Sequence, residues 1–189
     1  MPAVVWSEGV LSWQEERSDQ ELIAAANAGE AAAFEVIYFR YRDWVVHLAF
    51  RLTSDREQAL DVMQETFLYL LKKFPGFSLT CQIKSFLYPV VKHLALNSVA
   101  RAKRYEPGEQ LFNALEAPQV QPAEHESLRA ALRKLPVVQR EAVILRFLEG
   151  FDLAAIAEAL EVPVGTVKSR LHHALEALRH DPALRDYFD

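Results

Sequence analysis

Cysteine is almost missing from this chain. Cys81 is the only one in 189 residues, which excludes an internal disulfide and any zinc site built on cysteines. Glycine is scarce too, at 6 residues, and strand-like alternation of apolar and polar side chains is rare, so a sheet protein with many tight turns is not expected. No run approaches the roughly 18 apolar residues of a membrane-spanning helix. No basic segment followed by an apolar run stands near residue 1, so neither a signal peptide nor membrane insertion is expected, and the cytoplasm is the expected compartment. A surplus of basic charge is also absent. With 21 Lys and Arg against 26 Asp and Glu, the net charge is −5, which argues against indiscriminate coating of nucleic acid.

What is present is apolar and helical. Hydrophobic residues make up 51 % of the chain. From Ala31 to Leu52 they recur at three- and four-residue steps: Phe34, Ile37, Tyr38, Tyr41, Val45, Leu48 and Leu52. From Asp55 to Phe74 the stripe is Ala59, Met63, Phe67, Leu70 and Phe74, with capping chemistry in Thr53-Ser54-Asp55 before it. A shorter helix over Asp19–Asn27 precedes them, and Pro75-Gly76 closes the third. A fourth helix over Ile83–Arg104 contains Pro89, which removes a backbone donor, so a kink or a break is expected there. Further helices are expected near 124–135, 137–149, 152–160 and 164–180, with Pro136 in a first turn and Gly150 as a C-cap.

The expected fold class is all-α: two small helical domains joined by an acidic linker, the C-terminal one containing a helix-turn-helix. The divisions are an N-terminal extension (1–18), a first domain (19–104), a linker (105–123), a second domain (124–181) and a tail (182–189). Charge follows these divisions. Lys84, Lys92, Arg101, Lys103 and Arg104 lie in a stretch without acids, whereas Glu106, Glu109, Glu116, Glu124 and Glu126 lie in one without Lys or Arg.

The most specific feature is the run Gly150 to Leu160 followed by Val162 to Leu171. It reads as two short helices joined by a tight turn. Leu153, Ile156, Ala157 and Leu160 form a small apolar face suited to bracing a second helix. Pro163 suits a helix start, and Val164, Gly165 and Thr166 would offer free amides to a phosphate. Lys168, Ser169, Arg170, His172 and His173 follow on the outer face, while Val167, Leu171 and Leu178 turn inward. Arg can hold guanine O6 and N7 with two hydrogen bonds, and Lys and Ser suit phosphate or base edges. An amphipathic helix with a solvated charged face is the plainer alternative. Adjacent histidines point about 100° apart on a helix, so His172 and His173 are not expected to share a metal ion. Neither a metal nor another cofactor is expected.

The wording is narrower than a generic helix-turn-helix. Leu135-Pro136, Gln139-Arg140-Glu141, Leu145-Arg146, Glu149-Gly150, Ile156-Ala157 and Gly165 through Leu171 resemble region 4 of extracytoplasmic-function sigma factors, initiation subunits of bacterial RNA polymerase. Ala33-Phe34, Tyr38, Tyr41, Arg51-Leu52, Ala59, Asp61, Gln64 and Phe67 resemble region 2 of the same family.

The resemblance implies a non-enzymatic subunit whose partners are core polymerase and promoter DNA, with an anti-sigma factor or other regulator expected. It implies that Asp61, Gln64, Glu65 and Phe67 meet the polymerase. It implies that Lys84, Phe86, Tyr88, Lys92, His93, Asn97, Arg101 and Arg104 open the −10 element and hold its unpaired bases, a basic track with flat side chains for stacking. Thr166, Lys168, Ser169, Arg170, His172 and His173 would read the −35 element as duplex. The acidic linker suits a nucleic-acid mimic in the polymerase RNA path.

The chain departs from the family pattern at several positions. Leu60 replaces a usual acid, Phe86 a common tryptophan, His93 and Asn97 the usual Asn and Asp, and Glu161 a turn residue that is often glycine. His173 and Leu175 thin the basic face of the last helix, so weak intrinsic duplex binding with a shallow salt slope is expected. Two other readings stand beside this one. A stand-alone helix-turn-helix regulator on duplex operators would not need the first domain. An enzyme using the Asp61 and Glu65 carboxylate pair lacks a convergent polar set. At the ends, Trp6, Val10 and Trp13 could share one helical face, and Leu184, Tyr187 and Phe188 form an apolar tip.

Overall fold

A helix needs its first amides satisfied, and Ser18 does this for the first one. Its backbone N–H donates to Glu21 Oε2 at 2.6 Å, and its hydroxyl accepts from the Glu21 amide at 3.3 Å, closing a capping box. The computed structural model describes residues 16–105, 126–182 and 184. The expectations for Trp6, Val10, Trp13, Tyr187, Phe188 and the linker from residue 106 to 123 lie outside the described residues.

The capped helix is α1 (Asp19–Asn27), and α2 (Ala31–Thr53) and α3 (Arg56–Leu71) follow. Their junction is the expected one: Ser54 ends α2 in the left-handed region at φ 54°, and Asp55 caps α3 by accepting from the Gln58 amide at 2.9 Å. The apolar stripes face one another. Ile37, Val45, Leu48 and Leu52 of α2 and Ala59, Met63, Phe67 and Leu70 of α3 are buried.

The fourth helix, α4 (Ile83–Tyr105), runs unbroken through Pro89, so of the kink or break expected there the break does not occur. Pro89 cannot donate to the Ser85 carbonyl. Burial of Ile83, Leu87, Val91 and Ala95, on a helix packed against α2 and α3, holds it across that gap. The loop before α4 includes a cis Phe74–Pro75 bond and is fixed by one side chain of α1. Asn27 accepts from the amides of Gly76 (2.7 Å) and Phe77 (3.0 Å) and donates to the Phe77 carbonyl (2.8 Å).

In the second half, α5 (Glu126–Lys134) and α6 (Val137–Val143) lead into a π-helical turn, Ile144–Leu148. Arg140 is buried at the end of α5, where it donates to the carbonyls of Arg133 (2.7 Å) and Leu135 (3.1 Å). Burial, then the nearby Arg133 charge, lowers its pKa from the ordinary arginine value. Gly150 closes the π turn at φ +73°, with the Phe151 amide reaching back to Leu145 at 3.0 Å. Asp152 then caps α7 (Leu153–Ala159) through the Ala155 amide at 2.7 Å, and α8 (Val164–Arg179) completes the unit. Among the described residues no helix is long and apolar enough to cross a membrane.

The two helical units do not stand apart. α4 packs on α7, and Phe151 lies over Trp44 (centroids 6.3 Å) and edge-on to Tyr88 (6.5 Å).

Candidate nucleic-acid interface

The helix-turn-helix forms where the alanine-rich sequence allows it. Ala155, Ile156, Ala157 and Ala159 are buried, and small side chains let α8 approach α7 closely. The turn between them requires a left-handed residue, and Glu161 supplies it at φ 53°, with its neighbour Val162 bonding the Ala157 carbonyl at 3.0 Å. A residue with a Cβ costs about 1 kcal/mol there relative to glycine. Inward, α8 presents Val167, Leu171, Ala174 and Leu178.

Its outer face carries what the sequence led one to expect. Lys168, Ser169, His172 and His173 are exposed, and Thr166 and Arg170 are half-buried. One detail differs. The Thr166 amide turns back onto the Pro163 carbonyl at 2.9 Å, so the open amides of the first turn are those of Val164 and Gly165. The two histidines stand beside a carboxylate. Ligand atoms of His172, His173 and Glu176 all lie within 4.8 Å of one another. Glu176 stands four and three residues on and faces both rings, which the adjacent-residue argument overlooked. His173 Nδ1 stands 3.9 Å from Glu176 Oε2, whereas tetrahedral zinc, with Zn–N near 2.0–2.1 Å, sets its ligand atoms roughly 3.3 Å apart.

The residues expected on the −10 surface fall into three groups. His93, Asn97 and Arg101 are exposed on α4, with His93 Nε2 and Asn97 Nδ2 2.9 Å apart. Lys84 is half-buried, its ammonium 5.5 Å above the Trp44 ring. Phe86 is half-buried in an aromatic row with Phe77 (4.9 Å) and Tyr69 (6.4 Å). The backbone of Arg104 belongs to α4, but its side chain lies outside the described residues.

Tyr88 and Lys92 form the third group, and they are occupied. Both meet Glu141 of α6, the phenol and the ammonium each 2.5 Å from Oε1. Burial first, then the Glu141 charge and hydrogen bond, raises the Tyr88 pKa well above the usual tyrosine value. A second seam lies beside it. Glu149 accepts from Trp44 Nε1 at 2.7 Å and pairs with Arg51. Sequence reasoning assigned no contact role to Trp44, Arg51, Glu141 or Glu149. Nothing in the local pattern signals pairings between residues 49 to 105 positions apart.

On α3, Asp61, Gln64 and Glu65 are exposed, while Phe67 is buried against Tyr38 at 4.8 Å and supports the helix from inside. Leu60 and Leu68 are exposed on the same helix, which makes a mixed acidic and apolar face. The helical stripe, read only for its inward side, passes over these two leucines.

The two candidate surfaces meet in one groove. Lys92 and His93 of α4 and Arg170 of α8 line a cleft of about 450 Å³ together with Glu141 and Glu161.

Comparison with known proteins agrees with this layout. Residues 37–105 match the family model described as Sigma-70 region 2, and residues 125–178 match Sigma-70, region 4. The chain is 36 % identical over 163 residues to the ECF RNA polymerase sigma factor SigM of Mycobacterium tuberculosis (strain H37Rv), covering 84 % of this chain and 82 % of that one. It is 28 % identical over 186 residues to the RNA polymerase sigma-H factor of Pseudomonas aeruginosa, covering 90 % and 95 %. Among solved structures, CnrH in complex with the cytosolic domain of CnrY is similar in fold, with a TM-score of 0.63, 22 % identity and coverage of 90 % and 99 %. RpoE in complex with the anti-sigma factor NepR from Bartonella quintana is similar too, at a TM-score of 0.59, 22 % identity and coverage of 80 % and 96 %.

Proposed function

The chain belongs to the extracytoplasmic-function sigma factors, subunits that direct RNA polymerase to promoters, and from that membership we propose how its own residues divide the work. The exposed face of α3 docks on core polymerase through Asp61, Gln64 and Glu65, with Leu60 and Leu68 adding apolar area. α4 holds the unpaired −10 strand. Lys84, Lys92 and Arg101 track its phosphates, and Tyr88, His93 and Asn97 meet its bases once the surface is free. α8 reads the −35 duplex: Thr166, Lys168 and Ser169 anchor the backbone, and Arg170, His172 and His173 reach base edges. Residues 19–104 and 124–181 act as the two working domains, with 105–123 between them. The task is binding and strand capture, with no covalent chemistry, and it takes place where the polymerase is, in the cytoplasm. An anti-sigma factor is the expected regulator, as NepR is for the RpoE it accompanies.

One observation carries this reading. The same chain joins a helix-turn-helix with an exposed hydroxyl, basic and imidazole face to a second helical unit whose α3 face is acidic and apolar. A duplex-only regulator has no use for the second unit.

The test is permanganate footprinting of unpaired thymines on a promoter selected with the assembled holoenzyme. Lys92→Ala should leave duplex binding in place and reduce thymine reactivity near −10. Lys168→Ala should weaken promoter binding itself. Undiminished −10 reactivity in Lys92→Ala would remove α4 from the strand-capturing role.

A further inference from the structure

We propose that a pocket between α4 and α7 is a binding site for a small arylalkylamine. The ring of the ligand lies against an apolar wall, its N–H edge meets Ser85, and its ammonium meets the carboxylates of Glu158 and Glu161. The site does not depend on how the DNA contacts are divided among the helices.

The pocket holds about 480 Å³, within the range of small-molecule sites, and lies where two helical units meet, a common place for one. Its wall is apolar and partly aromatic: Tyr69 of α3 with Phe86, Pro89, Val90 and Leu94 of α4. The Tyr69 and Phe86 rings are stacked with an interplanar angle of 26°, and Tyr69 remains exposed. A flat apolar ligand suits such a wall.

Ser85 supplies the polar anchor. It is 2 % exposed and lines the pocket, yet its hydroxyl has no hydrogen-bond partner among the described residues. A serine inside a helix can bond the carbonyl four residues back, but this one does not. A buried hydroxyl left without a partner is costly, and a ligand that bonds it recovers that cost. Pro89 adds to the deficit, because it cannot give the Ser85 carbonyl its helical bond. One residue of the wall therefore has two polar groups short of their usual partners. A ligand N–H can donate to either oxygen.

Charge selects a cation. Glu158 of α7 and Glu161 of the turn line the pocket, both exposed and neither in a salt bridge among the described residues. Their field reaches inside. Burial first, then the Glu158 charge, raises the pKa of the Cys81 thiol, which lines the same pocket. A field that disfavours a thiolate favours an ammonium and repels a carboxylate. His93 is the sole basic side chain among the described residues lining the pocket.

The experiment uses the full chain and three probes that share one ring: tryptamine as the cation, tryptophol as the neutral form and indolepropionate as the anion. Cys81 is the single cysteine, so its alkylation by iodoacetamide reports occupancy, and calorimetry gives the affinities. Tryptamine should protect Cys81 and bind more tightly than tryptophol, and indolepropionate should bind least. Glu158→Gln with Glu161→Gln should weaken tryptamine binding about fivefold, the scale of an exposed ion pair, and leave tryptophol unchanged. Ser85→Ala should weaken both about fivefold through the lost hydrogen bond. It should also raise the melting temperature of the free chain, because the unpartnered hydroxyl is gone. Cys81 also borders a cavity beside α1, so location needs its own variant. Val90→Trp fills the pocket proposed here and should abolish protection. Circular dichroism confirms that each variant is folded. The glutamine pair, at exposed positions, keeps the test available if Val90→Trp does not fold. Tryptamine that fails to bind, or binds no better than tryptophol or indolepropionate, would overturn the proposal. So would protection that survives in folded Val90→Trp, or tryptamine affinity unchanged in both the glutamine pair and Ser85→Ala. Run-off transcription with core polymerase tests the sigma-factor assignment separately, and none of these outcomes alters it.

Discussion

The phenol of Tyr88 donates to the carboxylate of Glu141 across 2.5 Å, a bond between residues 53 positions apart that joins two helical units. Burial and the carboxylate both disfavour the phenolate, so the Tyr88 pKa stands well above the usual value of about 10. A raised folded-state pKa means that the contribution is fully present below about pH 10 and is lost as the pH rises beyond that. Tyr88 should therefore ionise late in an alkaline absorbance titration. Tyr88→Phe should remove one late-ionising phenol and lower stability by about 2 kcal/mol, since it deletes a hydrogen bond to a charged acceptor. A variant titration superimposable on the wild-type curve would contradict this.

Glu161 holds the turn of the helix-turn-helix at φ 53°. Glu161→Gly should stabilise the chain by about 1 kcal/mol, read as a higher urea midpoint at unchanged slope. A lower midpoint would show that the Glu161 side chain has a compensating interaction.

Asn27 makes three hydrogen bonds to the loop before α4. Asn27→Ala should destabilise the chain by about 2 kcal/mol, because the amides of Gly76 and Phe77 lose their acceptor. Duplex binding by α8 should not change. Hydrogen exchange at Gly76 and Phe77 is the local readout, and unchanged protection there would contradict the role given to Asn27.

Lys168 is exposed on the outer face of α8. As a phosphate contact, it should on conversion to alanine weaken duplex binding evenly across sequences and reduce the salt slope by about one. A loss confined to certain base pairs would instead make Lys168 a base reader. The whole chain should show a shallow slope, because His173 and Leu175 stand where basic side chains are common.

The helices were legible because each rests on a local signal. The stripe of α2, the capping chemistry of Ser54-Asp55 and the glycine at 150 each determine an element within a few residues. The turn at Glu161 was legible for the same reason. Three features were not. Pro89 left a kink and a break both open, and tertiary burial of Leu87 and Val91 keeps the helix in one piece despite the missing donor. Phe67 was assigned to a surface by its place in a motif, and the packing of Tyr38 puts it in the core. The pairing of Glu141 and Glu149 with Tyr88, Lys92, Trp44 and Arg51 has no local signature. It depends on how α4 meets α7, and periodicity within one helix carries no information about that.

Run-off transcription on a promoter library, with purified core polymerase and with or without this chain, is the most direct test of its central role. Specific transcripts should appear only when the chain is present, and their upstream DNA should share two blocks about 25 base pairs apart, one of them melted. No transcripts and no core binding, together with tight binding of free duplex by a dimer of the chain, would instead identify a stand-alone regulator.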